Sequence, residues 1–345
     1  MAQAIDPNKI KDKLRTGPSP HIRKARTYYG VMTEVLIALI PPAVAATFFF
    51  GWWVIGMLAI GIGTAVASEY IYQKLTYKPI KIHDRSAMVT GALVALSLPV
   101  TAPIWMIVFG SVFAIVIVKQ MNGGIGKNYF NPAVAARVVT KALFTPWLAN
   151  WVLPGGFLGS GYRGVDANSS ATPLEFIGHR AQTVSEQVPE LFDLFMGFNL
   201  GGNIGETSKI AILIGMLYLI FRGIIHPKIP ILYILTTVLV MGFWSSFNFE
   251  FMMAHALTGT LFFGATYMAT DYSSGSLTPQ GKTVFAIGSG LLTAFFRITF
   301  DYPGGVGFAI LIMNALAPFI DSKLMPRIYG HEKRPQVKFN RQKNS

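Results

Sequence analysis

Runs of about twenty apolar residues leave a chain few ways to fold, and this one has several. Residues 31–50 and 52–72 are almost uninterrupted apolar stretches. At a rise of about 1.5 Å per residue, a helix of that length crosses a hydrocarbon core of about 30 Å. In lipid the backbone must satisfy its own hydrogen bonds, which makes such runs helices. Composition agrees: 52% of the 345 residues are hydrophobic and only 13% charged, against about 25% charged in a soluble domain. A soluble bundle would need a polar shell, and the chain does not supply one.

Ten spans are expected, near 31–50, 52–73, 86–98, 103–121, 131–146, 208–222, 229–247, 254–270, 283–299 and 304–322. Those at 86–98, 131–146 and 208–222 are short for a full crossing. Gly and Pro interrupt or flank several others. Broken helices at membrane depth are tolerated where they are buried in protein or line a cavity.

The net charge is +13. A basic chain raises a nucleic-acid reading, but the positions argue for a membrane, and no nucleic acid is expected as a partner. All but six of the 29 Lys and Arg fall in the N- and C-terminal tails or in alternate connections. The six are Arg137, Lys141, Arg163, Arg180, Lys209 and Arg297. Cytoplasmic loops collect positive charge, so both termini are expected inside and the span count even. The organisation that follows is a cytoplasmic tail at 1–30, a first five-span repeat at 31–146, an outer loop at 147–207, a second five-span repeat at 208–322 and a basic cytoplasmic tail at 323–345. The N-terminal tail has no apolar stretch behind its charges and does not read as a secretory signal. There is no cysteine, which excludes disulfides, thiolate zinc sites and cysteine-held iron–sulfur clusters within the chain.

The two halves echo each other in order. Thr90-Gly91-Ala92-Leu93 parallels Thr258-Gly259-Thr260-Leu261, and Gly123-Gly124-Ile125-Gly126 parallels Gly304-Gly305-Val306-Gly307. Asn131-Pro132-Ala133 falls near Asn314-Ala315, and Lys78-Pro79-Ile80 resembles Lys228-Ile229-Pro230. An odd number of spans per half makes the second copy inverted. The expected fold is an all-α polytopic membrane protein with about ten transmembrane helices in two five-helix inverted repeats, some short or broken. Such repeats put ligand and ion sites near the midplane, at their interface.

Ionisable residues expected at membrane depth are Glu34, Glu69, Arg137, Lys141, Glu250 and Arg297. Each needs a partner there. Arg137 and Lys141 lie one helical turn apart and suit a bound ligand, an ion path or a neighbouring subunit. Asn122, Asn128, Asn131 and Asn314 lie at span ends or in broken helices. Helix capping accounts for them, and so does a polar pocket for a ligand or an ion near the midplane.

The outer loop is too long for a passive connector. It carries Asp166-Ala167-Asn168-Ser169-Ser170-Ala171-Thr172-Pro173-Leu174. Taken alone, this is ordinary turn chemistry. The pattern Asp166, Ser169, Ala171, Thr172 resembles the site at which a flavin transferase esterifies FMN onto threonine. That site belongs to the RnfD/NqrB family of integral membrane flavoproteins. These serve the Rnf ferredoxin:NAD oxidoreductase and the Na⁺-translocating NADH:quinone oxidoreductase. The family often has Gly where this chain has Ala167. The run Gly123-Gly124-Ile125-Gly126-Lys127-Asn128 with Phe130-Asn131-Pro132-Ala133 matches the family's, as do Thr270-Asp271, Tyr302-Pro303, Pro318, Asp321 and Pro326-Arg327-x-Tyr329-Gly330-His331. Ser19-Pro20-His21, the short N-terminus and Ala171-Thr172-Pro173-Leu174 are similar to the Rnf branch.

The resemblance implies FMN in phosphoester linkage to Thr172, presented by Asp166, Ser169, Ser170 and Ala171, and a non-covalent riboflavin, a second flavin for which the pocket at Asn128, Asn131 and Asn314 is expected to serve if it does not hold an ion. It implies an electron-transfer subunit in a bacterial inner membrane, part of a translocase coupled to Na⁺ or H⁺ movement and not a complete enzyme alone. Its expected partners are the Rnf A, B, C, E and G subunits, a maturing flavin transferase and membrane lipid. The alternatives are an NqrB-type subunit and a flavin-free inverted-repeat transporter or channel.

Overall fold

A computed structural model describes residues 27–148, 151–152, 169–170, 177–178, 183–184, 188–198, 201–300 and 305–325. The chain is an all-α polytopic membrane protein. The first span runs Tyr28–Phe50, bent at Leu39 into α1 (Tyr28–Ala38) and α2 (Ile40–Phe50). Pro41 and Pro42 occupy the first turn of α2 and cannot donate backwards, which explains the bend. Then come α3 (Trp53–Leu75), α4 (Ser86–Leu96) and α5 (Ile104–Val112), which continues as a π-helix over Phe113–Gln120. After α6 (Pro132–Leu143) and the short α7 (Thr145–Leu148), strand β1 (Trp151–Val152) pairs antiparallel with β2 (Ser169–Ser170). A second pair joins β3 (Ile177–Gly178) to β4 (Thr183–Val184). The rest is α8 (Leu191–Met196), α9 (Lys209–Phe221), α10 (Lys228–Trp244), α11 (Phe249–Leu257), α12 (Leu261–Phe263) with a π segment at Gly264–Met268, α13 (Pro279–Phe300) and α14 (Gly305–Lys323).

Among the described residues, four helical stretches are long and apolar enough to cross a membrane by themselves: Tyr28–Phe50, Trp53–Leu75, Pro279–Phe300 and Gly305–Lys323. Shorter apolar helices stand at Ser86–Leu96, Ile104–Gln120, Lys209–Phe221 and Lys228–Trp244. The stretch expected as one span at 254–270 is instead two helical pieces. Thr258 leaves the helix with extended backbone and Gly259 takes a positive φ of 66°, a turn only glycine makes without strain. The expected span at 131–146 likewise breaks at Phe144.

Many large apolar side chains point outwards. Ile231, Leu235, Leu239 and Phe243 form an exposed stripe at i+4 spacing along α10, and Ile210, Ile214, Leu217 and Phe221 form another at i+4 and i+3 spacing on α9. A surface like that suits lipid and not water. Small and hydroxyl residues face inwards, as membrane helix contacts favour. A Cβ on Gly61 would lie 2.8 Å from the Gly91 carbonyl oxygen, so α3 and α4 cross backbone to backbone. In the second half, a Cβ on Gly290 would lie 2.8 Å from the Tyr233 carbonyl, bringing α13 onto α10. The halves share a pattern of neighbours. The second long helix of each packs along the fourth, α3 on α5 and α10 on α13. Between halves, α2 meets α9 and α6 meets α14.

Candidate functional site: a polar cleft between the halves

The two halves meet at Asn131. The Asn-Pro step makes a strong helix start, since Pro at the first position gives up no needed N–H. Asn131 Oδ1 accepts from the amides of Ala133 (3.0 Å) and Val134 (3.3 Å). Its Nδ2 donates across the halves to the Met268 carbonyl at 3.0 Å. Asn314, buried in mid-α14, completes the joint. With its amide oriented to satisfy both ends, Oδ1 accepts from Asn131 N at 3.0 Å and Nδ2 donates to Ser274 O at 3.2 Å. Capping therefore explains part of Asn131, and a cross-half tether explains the rest.

Beside this joint lies a cleft of about 80 Å³. Asn128 and Asn131 line it, and Asn314 stands one hydrogen bond behind. Its apolar wall is built from Met32, Val35, Val89, Leu93, Leu219 and Ile225. The polar wall takes Thr266 from one π segment and Lys119 from the other. π turns free a backbone group and recur at functional sites. Among the residues lining the cleft, two carry a buried polar atom with no protein partner: Asn128 Oδ1 and Thr266 Oγ1. Orphan groups of that kind are rare in a finished core, and a few placed polar groups on an apolar wall are what a small-molecule site presents.

Behind the cleft wall sits a buried ion pair of which the sequence reveals only one half. Glu69 is among the residues expected at depth, whereas Lys119 reads as a loop charge. Lys119 is in fact 1% exposed, and its Nζ donates to both oxygens of Glu69 at 2.8 and 2.9 Å. It also donates to Ser86 Oγ at 2.5 Å. The Ser86 hydroxyl donates to Asp84 Oδ1 at 2.6 Å, and Gln120 Nε2 donates to Glu69 at 2.6 Å. Glu34, also expected at depth, binds Arg222 and accepts from the Tyr218 hydroxyl, tying α1 to α9.

A second charged group lies at the helix breaks. Every residue from 201 to 209 is buried. The Ile204 amide donates to Leu98 O at 3.0 Å, so this segment runs against the chain beyond α4. Glu206 faces Arg137 at 3.6 Å and accepts from the Asn203 amide at 3.1 Å. Lys209, fully buried and not anticipated, donates to the Glu206 and Thr207 carbonyls. Arg297 is 0% exposed and donates to His255 O at 2.6 Å and Thr258 O at 3.3 Å. Those carbonyls end α11, where the helix dipole is negative. Arg137 and Lys141 line a small pocket with Ser97, Asn203 and Trp151. Trp151 pairs through its backbone with Ser170.

Of the attachment motif, Asp166, Ala171 and Thr172 lie outside the described residues, and so do the side chains of Ser169 and Ser170. Both tails lie outside them too. Asp321 accepts from the Leu277 amide (2.8 Å), the Thr278 amide (3.1 Å) and the Thr278 hydroxyl (2.8 Å), pinning the start of α13 to the end of α14.

Comparison with known proteins gives the lineage. A curated relative from Acetobacterium woodii, the D subunit of a Na⁺-translocating ferredoxin:NAD⁺ oxidoreductase complex, is 42% identical over 92% of this chain and 95% of its own length. The D subunit of a proton-translocating ferredoxin:NAD⁺ oxidoreductase complex from Clostridium ljungdahlii is 36% identical over 96% of this chain and 99% of its own. The D subunit of an ion-translocating oxidoreductase complex from Stutzerimonas stutzeri is 35% identical over 88% and 92%. The model of the NQR2, RnfD, RnfE family matches residues 15–330. The chain belongs to that family.

Proposed function

We propose that this chain is the D subunit of an Rnf-type ion-translocating ferredoxin:NAD oxidoreductase and that it relays electrons through two flavins. One is FMN, held as a phosphoester on Thr172 in the outer loop. The other is riboflavin, held without a covalent bond in the cleft at Asn128 and Asn131. When bound, the flavins supply one- and two-electron chemistry, and the protein sets position and potential.

The single observation that carries the cleft assignment is Asn128 Oδ1, a buried acceptor with no protein donor. A ring with an N–H edge would satisfy it. Thr266 Oγ1 offers a second polar contact, while Met32, Val35, Leu219 and Ile225 suit the apolar end of a tricyclic ring. Asn131 and Asn314 fix the cleft floor by tying α6 to the second half. The Thr172 assignment rests on the sequence motif. The β1–β2 pairing supports it by holding Ser170 beside Trp151 and the Arg137–Lys141 pocket. In this reading the repeats are inverted, both termini are cytoplasmic, and the loop at 147–207 lies outside. The Rnf A, B, C, E and G subunits and a flavin transferase are the working partners, and the chain acts as part of the complex.

The deciding experiment is the intact mass of the chain produced with an active flavin transferase, with peptide mapping over residues 163–180. The expected result is a gain of one FMN less water on Thr172, abolished by Thr172→Val. Denaturation should release one further flavin that carries no covalent link. An unmodified loop beside an active transferase would move the reading to a flavin-free transporter. Quinone reduction from NADH by the assembly, without ferredoxin, would place the chain on the NqrB-type branch.

A further inference from the structure

We infer that the buried Glu69–Lys119 pair is a fixed dipole, its positive end in the cleft wall, that favours the reduced form of the cofactor bound there. This rests on the riboflavin reading above.

The charge state follows from the hydrogen bonds. An ammonium has three donors and no acceptor. Lys119 Nζ meets three acceptors: Glu69 Oε1, Glu69 Oε2 and Ser86 Oγ. Ser86 is free to accept because its own proton goes to Asp84. Glu69 takes donors from Lys119, Gln120 and, at 3.2 Å, Gln73. Donors converging on a carboxyl group favour its ionised form. Both partners are 1% exposed, so neither charge is screened by water;.

The direction follows from placement. Lys119 and Ser86 line the cleft; Glu69 does not. The ammonium is therefore nearer any occupant than the carboxylate, and the pair presents a net positive end. Asp271 also lines the cleft, and Asp84 stands behind Ser86; both carboxylates are partly exposed, so water weakens their fields. The neighbouring π-helix, Phe113–Gln120, holds Lys119 in this place. When one electron reaches the cleft cofactor, the Thr172 flavin loses one. The cleft gains one negative charge, and Lys119 meets it without any proton leaving the pair. A neutral occupant gains little from the same dipole.

The test is a redox titration of the non-covalent flavin in the purified complex, with two variants of opposite expected sign. Glu69→Gln/Lys119→Gln removes the dipole and keeps hydrogen-bonding side chains. It should weaken binding of the reduced form against the oxidised about tenfold, a fall of about 59 mV for a one-electron couple. Glu69→Gln alone leaves Lys119 unopposed and should raise the potential. A purely structural role would not produce opposite signs. If a variant does not assemble, the other still decides. A potential unmoved in either variant, or lowered in Glu69→Gln, overturns the inference and leaves the riboflavin reading standing. Wild-type complex without any non-covalent flavin overturns both.

Discussion

Two groups of buried charge hold this protein together, and they do so differently. Beside the cleft, Lys119 faces a carboxylate, and the pair is neutral as a unit. At the helix breaks, Arg137, Lys209 and Arg297 gather around Glu206 as the nearby carboxylate. There the cations lean on backbone carbonyls. Arg297 takes the last turn of α11, and Lys209 takes the carbonyls of Glu206 and Thr207. A broken helix exposes C-terminal carbonyls with no partner of their own. The break thus creates the negative field that lets a lone guanidinium stay buried. The cleft wall has no such break and needs a carboxylate fifty residues away in sequence, at Glu69.

The contrast can be broken where it is sharpest. Lys119→Met strands the Glu69 carboxylate in a dry interior, and removing one member of a buried pair costs about 3–5 kcal/mol. Thermal unfolding in detergent should show the largest drop here, with most of it recovered in Glu69→Gln/Lys119→Met. Recovery is the decisive part, since it separates stranded charge from lost packing. Arg297→Gln should cost less, about 1–3 kcal/mol, because it leaves carbonyls under-satisfied and not an unpaired charge. No single carboxylate substitution should rescue it. A loss as large as that of Lys119→Met would mean Arg297 is paired by charge after all. Smallest is Arg222→Gln. That side chain is mostly exposed although it binds Glu34, and exposed ion pairs contribute little. Its unfolding midpoint should match the parent.

The difference also decides what the sequence reveals. The long spans are legible because twenty apolar residues in a row have one use. Asn131 is legible as a helix start because Asn before Pro is a local signal. The cleft pair is not. Lys119 ends an apolar run and reads as a cytoplasmic anchor; only the packing of α3 against the Phe113–Gln120 segment brings it to Glu69. Lys209 is hidden for the same reason, since its helix starts inside the protein. Nor does α10 announce which side meets lipid. It is apolar all round, so the stripe of Ile231, Leu235, Leu239 and Phe243 emerges only from packing.

The π segments, one in each half, carry a lesson about insertion and deletion. A π turn accommodates one residue more than an α turn. Were Phe113–Gln120 to take ordinary winding with all its residues kept, everything beyond it would turn by about 100°. Lys119 would swing off the cleft wall while every apolar residue stayed apolar and the span kept its length. A hydropathy plot would register nothing. In this stretch the chain's residue count, as much as its chemistry, is under constraint.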